Sequence, residues 1–212
     1  MLSYVRNLAN NQSMELQFAF SIVILVVSVT FHEMAHAFAA RFLGDATPEY
    51  DGRLTANPVK HLDPIGSVVF PTISYLLGGF IIGWAKPVRY NPYNFKRFRR
   101  SGEALVAAAG PASNVILALL ASVTLYIVGP AAYLPAATVI IINIGLAVFN
   151  LIPIPPLDGS KLLFFVLGDR GSSVRLFLER YGLFVALAGI MLLSDEVAVI
   201  VRAVSLFLLG QY

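Results

Sequence analysis

Phe31-His32-Glu33-Met34-Ala35-His36 decides how the chain is read, because it lies within one of the most apolar stretches of the sequence. Residues 18–30 (FAFSIVILVVSVT) precede it and 37–40 (AFAA) follow. Such a run folds as helix, so histidines four apart stack on one face with Glu33 on the adjoining turn. Helical rise puts the two rings about 6 Å apart along the axis, near enough to hold one metal ion through a nitrogen of each. HExxH is the spacing of zinc hydrolases: two ligands, plus a carboxylate that takes a proton from the water the metal activates. Ionisable groups at membrane depth are expensive and are usually kept for function. A polar knot where two helices cross is therefore the weaker reading.

The surrounding composition fits that placement. The chain has 212 residues, 58% hydrophobic and 13% charged, with a mean hydropathy of +0.76. This is far more apolar than a soluble domain, and several windows can cross about 30 Å of hydrocarbon. The expected class is an all-α polytopic membrane protein, which excludes a soluble zinc protease. Residues 1–13 lack the basic region and cleavage pattern of a removed signal peptide, and the first apolar segment carries the HExxH, so it is expected to be retained. With no cysteine, any metal must be held by His, Asp or Glu. The net charge of +3 is clustered in a way that suits membrane orientation rather than nucleic-acid binding.

Four segments follow in order. Segment A covers about 17–42, after a short N-terminal segment, 1–16. A loop punctuated by Pro48, Gly52, Asn57 and Pro58 leads to segment B, about 64–85. Its Pro64, Gly66, Pro71, Gly78, Gly79 and Gly83 argue against a straight helix. A connection from Lys86 to Arg100 carries six basic residues and no acid, the mark of a cytoplasmic loop; Trp84, Tyr90 and Tyr93 around it suit an interfacial aromatic belt. Segment C is about 103–127. Segment D, about 134–151, runs into the sequence NLIPIPPLDG, from Asn150 to Gly159. Residues 161–212 hold an amphipathic stretch and two apolar runs, 181–194 and 197–209, split by Asp195-Glu196. A hairpin is expected there, in preference to one long interrupted helix.

A catalytic zinc wants a third protein ligand and an open position. Candidates outside the HExxH are His61, Asp63, Glu103, Asp158, Asp195 and Glu196. Asp158 is the best placed, where Pro153, Pro155 and Pro156 break the helix and Gly159 permits a tight turn. His61 reads either as a hydrogen-bonding loop histidine or as a group that approaches the metal. The shared site constrains topology. Asp158 lies just past the end of D, while His32 and His36 fall late in A. Both ends must face one leaflet, and the basic loop marks it as cytoplasmic. Segment B must then be re-entrant or interfacial, with no net crossing.

Three separated motifs, His32-Glu33-Met34-Ala35-His36, Gly110-Pro111-Ala112-Ser113-Asn114 and Asn150 to Gly159, together resemble the site-2 protease family of intramembrane zinc metalloproteases. The resemblance covers about residues 17–160, the expected catalytic core, and fits the compact group without PDZ or CBS domains. Residues 55–58 (TANP), 61–66 (HLDPIG) and 83–87 (GWAKP) also look typical of that group; Ser160 stands where the family often has a second glycine. The resemblance implies one zinc ion per chain held by His32, His36 and Asp158, with Glu33 as general base. It also implies Asn150 as a contact to unwound substrate backbone or to the tetrahedral intermediate, and Asn114 as a positioner. The implied partners are the lipid bilayer and a transmembrane protein or peptide substrate, cut near the cytoplasmic side of a prokaryotic plasma membrane. A non-proteolytic zinc-binding membrane protein, such as a transporter or sensor, is the alternative. Its path should show ligands along several spans, whereas here the ionisable groups gather at one level.

Overall fold

A computed structural model describes residues 2–63, 65–69, 73 and 85–210, and every regular element among them is helical. Helix α1 (Leu2–Leu43) is followed by the single turn α2 (Thr47–Tyr50), then α3 (Gly102–Val128), α4 (Tyr133–Asn150), α5 (Gly159–Leu167) and α6 (Ser172–Leu209). Among the described residues, three stretches are long and apolar enough to span a membrane: Met14–Leu43, Gly102–Val128 and Pro130–Asn150. In lipid each must satisfy its backbone internally, which a helix does.

Polarity is arranged opposite to that of a soluble protein. Leu16, Phe18, Ile116, Leu120, Tyr126 and Leu134 are exposed, while Ser28, Thr30, His32, His36, Asn114 and Asn143 are buried between the helices. Lipid solvates the first set, and the interior must hydrogen-bond the second. Small residues let the helices approach: Ala118, Ala121 and Ala136 are buried with Leu125, Ile140, Ile144 and Leu209 where α3, α4 and α6 meet. A second cluster, Ala40, Leu43, Phe95 and Val106, joins the end of α1 to the basic loop and the start of α3.

Two elements differ from the sequence expectation. The expected hairpin is absent: α6 runs from Ser172 to Leu209 without a break. Asp195 and Glu196 sit exposed on its surface, where carboxylates are compatible with helix, and no Gly or Pro follows before its end to turn the chain. Residues 2–16, read as a separate segment, continue α1.

Most of segment B lies outside the described residues, but its two ends meet. The Lys86 N–H donates to the His61 carbonyl at 2.9 Å, and the Arg53 guanidinium bonds the carbonyls of Lys60 and Lys86 at 2.6 and 3.3 Å. The chain leaves and rejoins the fold at one place. Further along the basic loop, Lys96 and Arg97 donate their N–H groups to the Leu43 carbonyl at the end of α1, at 2.8 and 3.3 Å.

Candidate metal centre

Helices α1 and α3 pack antiparallel, and their register builds the centre. His32 and His36 stack one turn apart on α1, and Asn114, Gly110 and Val106 form a matching row on α3, each one turn from the next. His36 Nδ1 lies 2.7 Å from the Val106 carbonyl oxygen, which can only accept, so this nitrogen carries the proton. His32 Nδ1 lies 2.7 Å from Asn114 Oδ1 and likewise donates. In the neutral form both imidazoles therefore present a bare Nε2, and the two atoms stand 3.1 Å apart.

Asp158 completes the set. It occupies the N-cap of α5 but makes no side-chain bond to its own helix, the usual use of an aspartate there. Its Oδ2 instead lies 3.2 Å from His32 Nε2 and 3.3 Å from His36 Nε2. Close packing fixes this placement. A Cβ on Gly159 would come within 2.2 Å of the Leu151 carbonyl oxygen, so only glycine lets α5 begin against the end of α4. Gly182 of α6 similarly admits the Pro155 carbonyl, which a Cβ would approach to 2.7 Å.

The three atoms test whether a metal fits. With the imidazoles neutral all three are acceptors, and Oδ2 is buried without a hydrogen-bond partner. Lone pairs this close repel unless a cation or proton sits among them. Their separations of 3.1–3.3 Å match the edge of about 3.3–3.4 Å in a tetrahedral zinc site with bonds of about 2.0–2.1 Å. The imidazoles also have the outer-shell acceptors that metal-ligating histidines require. The residues fit a zinc ion.

The centre opens into a cavity of about 880 Å³, lined by Glu33, Ala85, residues 87–90 and Pro92 of the basic loop, Glu103, Asn150, Pro156, Leu157 and Lys161. One oxygen of Glu33 accepts the Val88 N–H at 3.2 Å. Asn150 donates from Nδ2 to the Leu146 carbonyl at 3.0 Å, keeping its carbonyl oxygen and a second amide hydrogen for other partners.

The remaining candidates are elsewhere. His61 is buried in its loop with Nε2 donating to the Thr55 carbonyl at 2.8 Å, away from the cavity lining; this is the loop role. The Asp63 carboxylate accepts the N–H groups of Ile65 and Gly66 at 2.9 and 2.7 Å. Asp195 and Glu196 face outwards from α6. Tyr90, read from sequence as part of an interfacial belt, lines the cavity and stacks on Phe95 at 5.9 Å. Burial, with the charges of Glu103 and Asp158, pushes its phenol up to about 12, so it stays protonated at working pH. No sequence pattern marks the backbone groups of Val88 and Val106, because any residue type could supply them.

Comparison with known proteins agrees with the geometry. A chain from Bacillus subtilis named "Putative zinc metalloprotease YwhC" is 41% identical over 153 residues, which is 67% of this chain and 66% of that one. Rip2 of Mycolicibacterium smegmatis and Rip2 of Mycobacterium tuberculosis, with names of the same form, are 36% and 33% identical. Those matches cover 63% and 65% of this chain but only 52% and 53% of the relatives. This chain thus spans between half and two-thirds of the relatives it matches. No solved structure matches. The model of peptidase family M50 matches residues 20–137 and 129–193, most of the chain, and the chain belongs to that family, the family of site-2 proteases.

Proposed function

We propose that this protein is a zinc-dependent endopeptidase that hydrolyses a peptide bond of a membrane-spanning protein near the cytoplasmic face, using one zinc ion on His32, His36 and Asp158. One observation carries the reading. Two Nε2 atoms and a carboxylate oxygen, all acceptors, converge within 3.3 Å beside Glu33 at the base of a cavity among apolar helices. Glu33 decides between catalysis and mere metal storage, since a storage site has no use for a carboxylate that does not bind the ion.

When bound, zinc supplies a Lewis acid that polarises the scissile carbonyl and lowers the pKa of water to about 7. Glu33 accepts the proton of the attacking water and delivers it to the leaving nitrogen. The Val88 N–H holds the carboxylate by one oxygen, so its direction is set before substrate arrives. A helical substrate has no free carbonyl to offer, so its turn must open first. Asn150, at the cavity wall, bonds the opened backbone through its spare oxygen or meets the developing oxyanion with its second amide hydrogen. Asn114 positions His32 and does not touch substrate.

The cytoplasmic assignment rests on the basic loop, which lines the cavity and is bonded to the end of α1. The meeting of residues 61 and 86 supports a segment B with no net crossing. The test is cleavage of single-span proteins in liposomes by wild type and Glu33→Gln, with zinc per chain measured. The variant should keep its zinc and lose at least ~100-fold in turnover. Normal cleavage by a zinc-loaded Glu33→Gln protein would remove Glu33 as the base.

A further inference from the structure

Asn143 is fully buried in the middle of α4, with Ile140–Ile142 before it and Ile144 after it. A side-chain amide in an apolar span is costly unless every polar atom is used. Its Nδ2 donates to the Val139 carbonyl and to the Ser28 hydroxyl oxygen, both at 2.9 Å. The Val139 carbonyl can only accept, so the orientation of this amide is settled, and Oδ1 must face the other way. There it accepts from Asn114 Nδ2 at 2.9 Å. The second contact of that Nδ2, to the Ser28 carbonyl, is 3.4 Å, at the limit of a hydrogen bond.

The two zinc-facing histidines are therefore controlled differently. His36 is set by a backbone carbonyl, which cannot reverse. His32 is set by a side-chain amide, which can turn over and exchange its oxygen for its nitrogen. A reversed Asn114 would offer N–H to His32 Nδ1, and the ring would have to shift its proton to Nε2. A donor would then point at the place a metal must occupy.

We propose that Asn143 is a positioning residue of the metal centre: it locks the Asn114 amide in the one orientation that gives His32 a bare Nε2. The inference rests on the zinc reading above, and its test separates the two. Zinc affinity is measured by competition with a chelator, with zinc itself as the probe, for wild type, Asn143→Leu, Asn143→Asp, Asn114→Leu and the double leucine variant. Asn143→Leu should bind zinc about 10–100-fold more weakly, with unchanged stoichiometry at saturation. Asn143→Asp, whose carboxyl stays protonated in this apolar surrounding and so keeps both a donor towards the Val139 carbonyl and an acceptor for the Asn114 amide, should recover most of that loss. In the Asn114→Leu background, Asn143→Leu should have no further effect, because it acts through that amide alone.

Ring-nitrogen NMR of the zinc-free protein gives a readout that packing would not move. His32 should be protonated on Nδ1 in wild type and a mixture of tautomers in Asn143→Leu. If Asn143→Leu binds zinc as tightly as wild type, or weakens it equally with and without Asn114, or leaves the tautomer unchanged, the positioning role is wrong while the zinc centre stands. If wild type binds no zinc, both fall.

Discussion

Gly110→Ala tests the metal centre with one methyl group placed where the geometry forbids it. A Cβ at this position would lie 2.4 Å from His36 Nε2 and 2.6 Å from both Nε2 and Cε1 of His32. Ordinary contact begins at 3.4 Å, so the two Nε2 atoms would have to retreat by about 1.0 and 0.8 Å. They have nowhere to go. His36 is held at 2.7 Å to the Val106 carbonyl and His32 at 2.7 Å to Asn114, and both partners belong to the helix that carries the new methyl. Metal–ligand distances in real sites hold within about 0.2 Å, several times less than the displacement required. Zinc affinity should therefore fall by at least ~100-fold, about 2.8 kcal/mol. The fold should survive, because alanine favours an α3 interior by about 1 kcal/mol over glycine and overpacking costs about 1–3 kcal/mol. Zinc per chain after equilibration with buffered zinc, read beside circular dichroism and thermal unfolding in detergent, separates the two effects. A folded Gly110→Ala protein with wild-type zinc affinity would refute the placement of the ligand atoms against α3.

Gly159→Ala should also lose zinc, by a different route: its Cβ would meet the backbone of Leu151 and Ile152 at 2.2–2.6 Å, lifting α5 and Asp158 away. It should also lower the unfolding midpoint, with a cost of about 1–3 kcal/mol; an unchanged midpoint and full zinc would count against it. Asp45 gives a pH prediction outside the spans. Its buried carboxylate accepts from Asn94 at 2.8 Å, the Asn91 N–H at 2.7 Å, and the Thr47 hydroxyl and N–H at 2.7 and 3.2 Å. Burial opposes its charge, but the Asn94 amide and the other donors outweigh it and lower its pKa below 3.8. The charged form is thus favoured by folding, and its stabilisation is complete above 3.8 and lost as pH falls through the lower, folded value. Asp45→Asn should cost about 1–3 kcal/mol at neutral pH, and the difference from wild type in detergent denaturation should close under acid; a gap that widens there would contradict the assignment.

Sequence alone determined what depends on near neighbours and on scarcity. His32 and His36 share a face because helical periodicity is local. Spanning segments are legible because apolar length is, and Asp158 stood out because few ionisable groups compete with it near a helix break. The hairpin expectation for 181–209 failed for a related reason. Two adjacent acids lower hydropathy, yet nothing in their backbone chemistry turns a helix.

Only tertiary structure decided which nitrogen of each histidine is bare. That choice belongs to Val106 and Asn114, 70 and 82 residues further along the chain, and for His32 it is fixed at one remove by Asn143. The same holds for Gly110, which is an unremarkable small residue until α1 and α3 are set in antiparallel register. Proton placement follows from whatever acceptor another helix brings, and spacing along one helix carries no record of it.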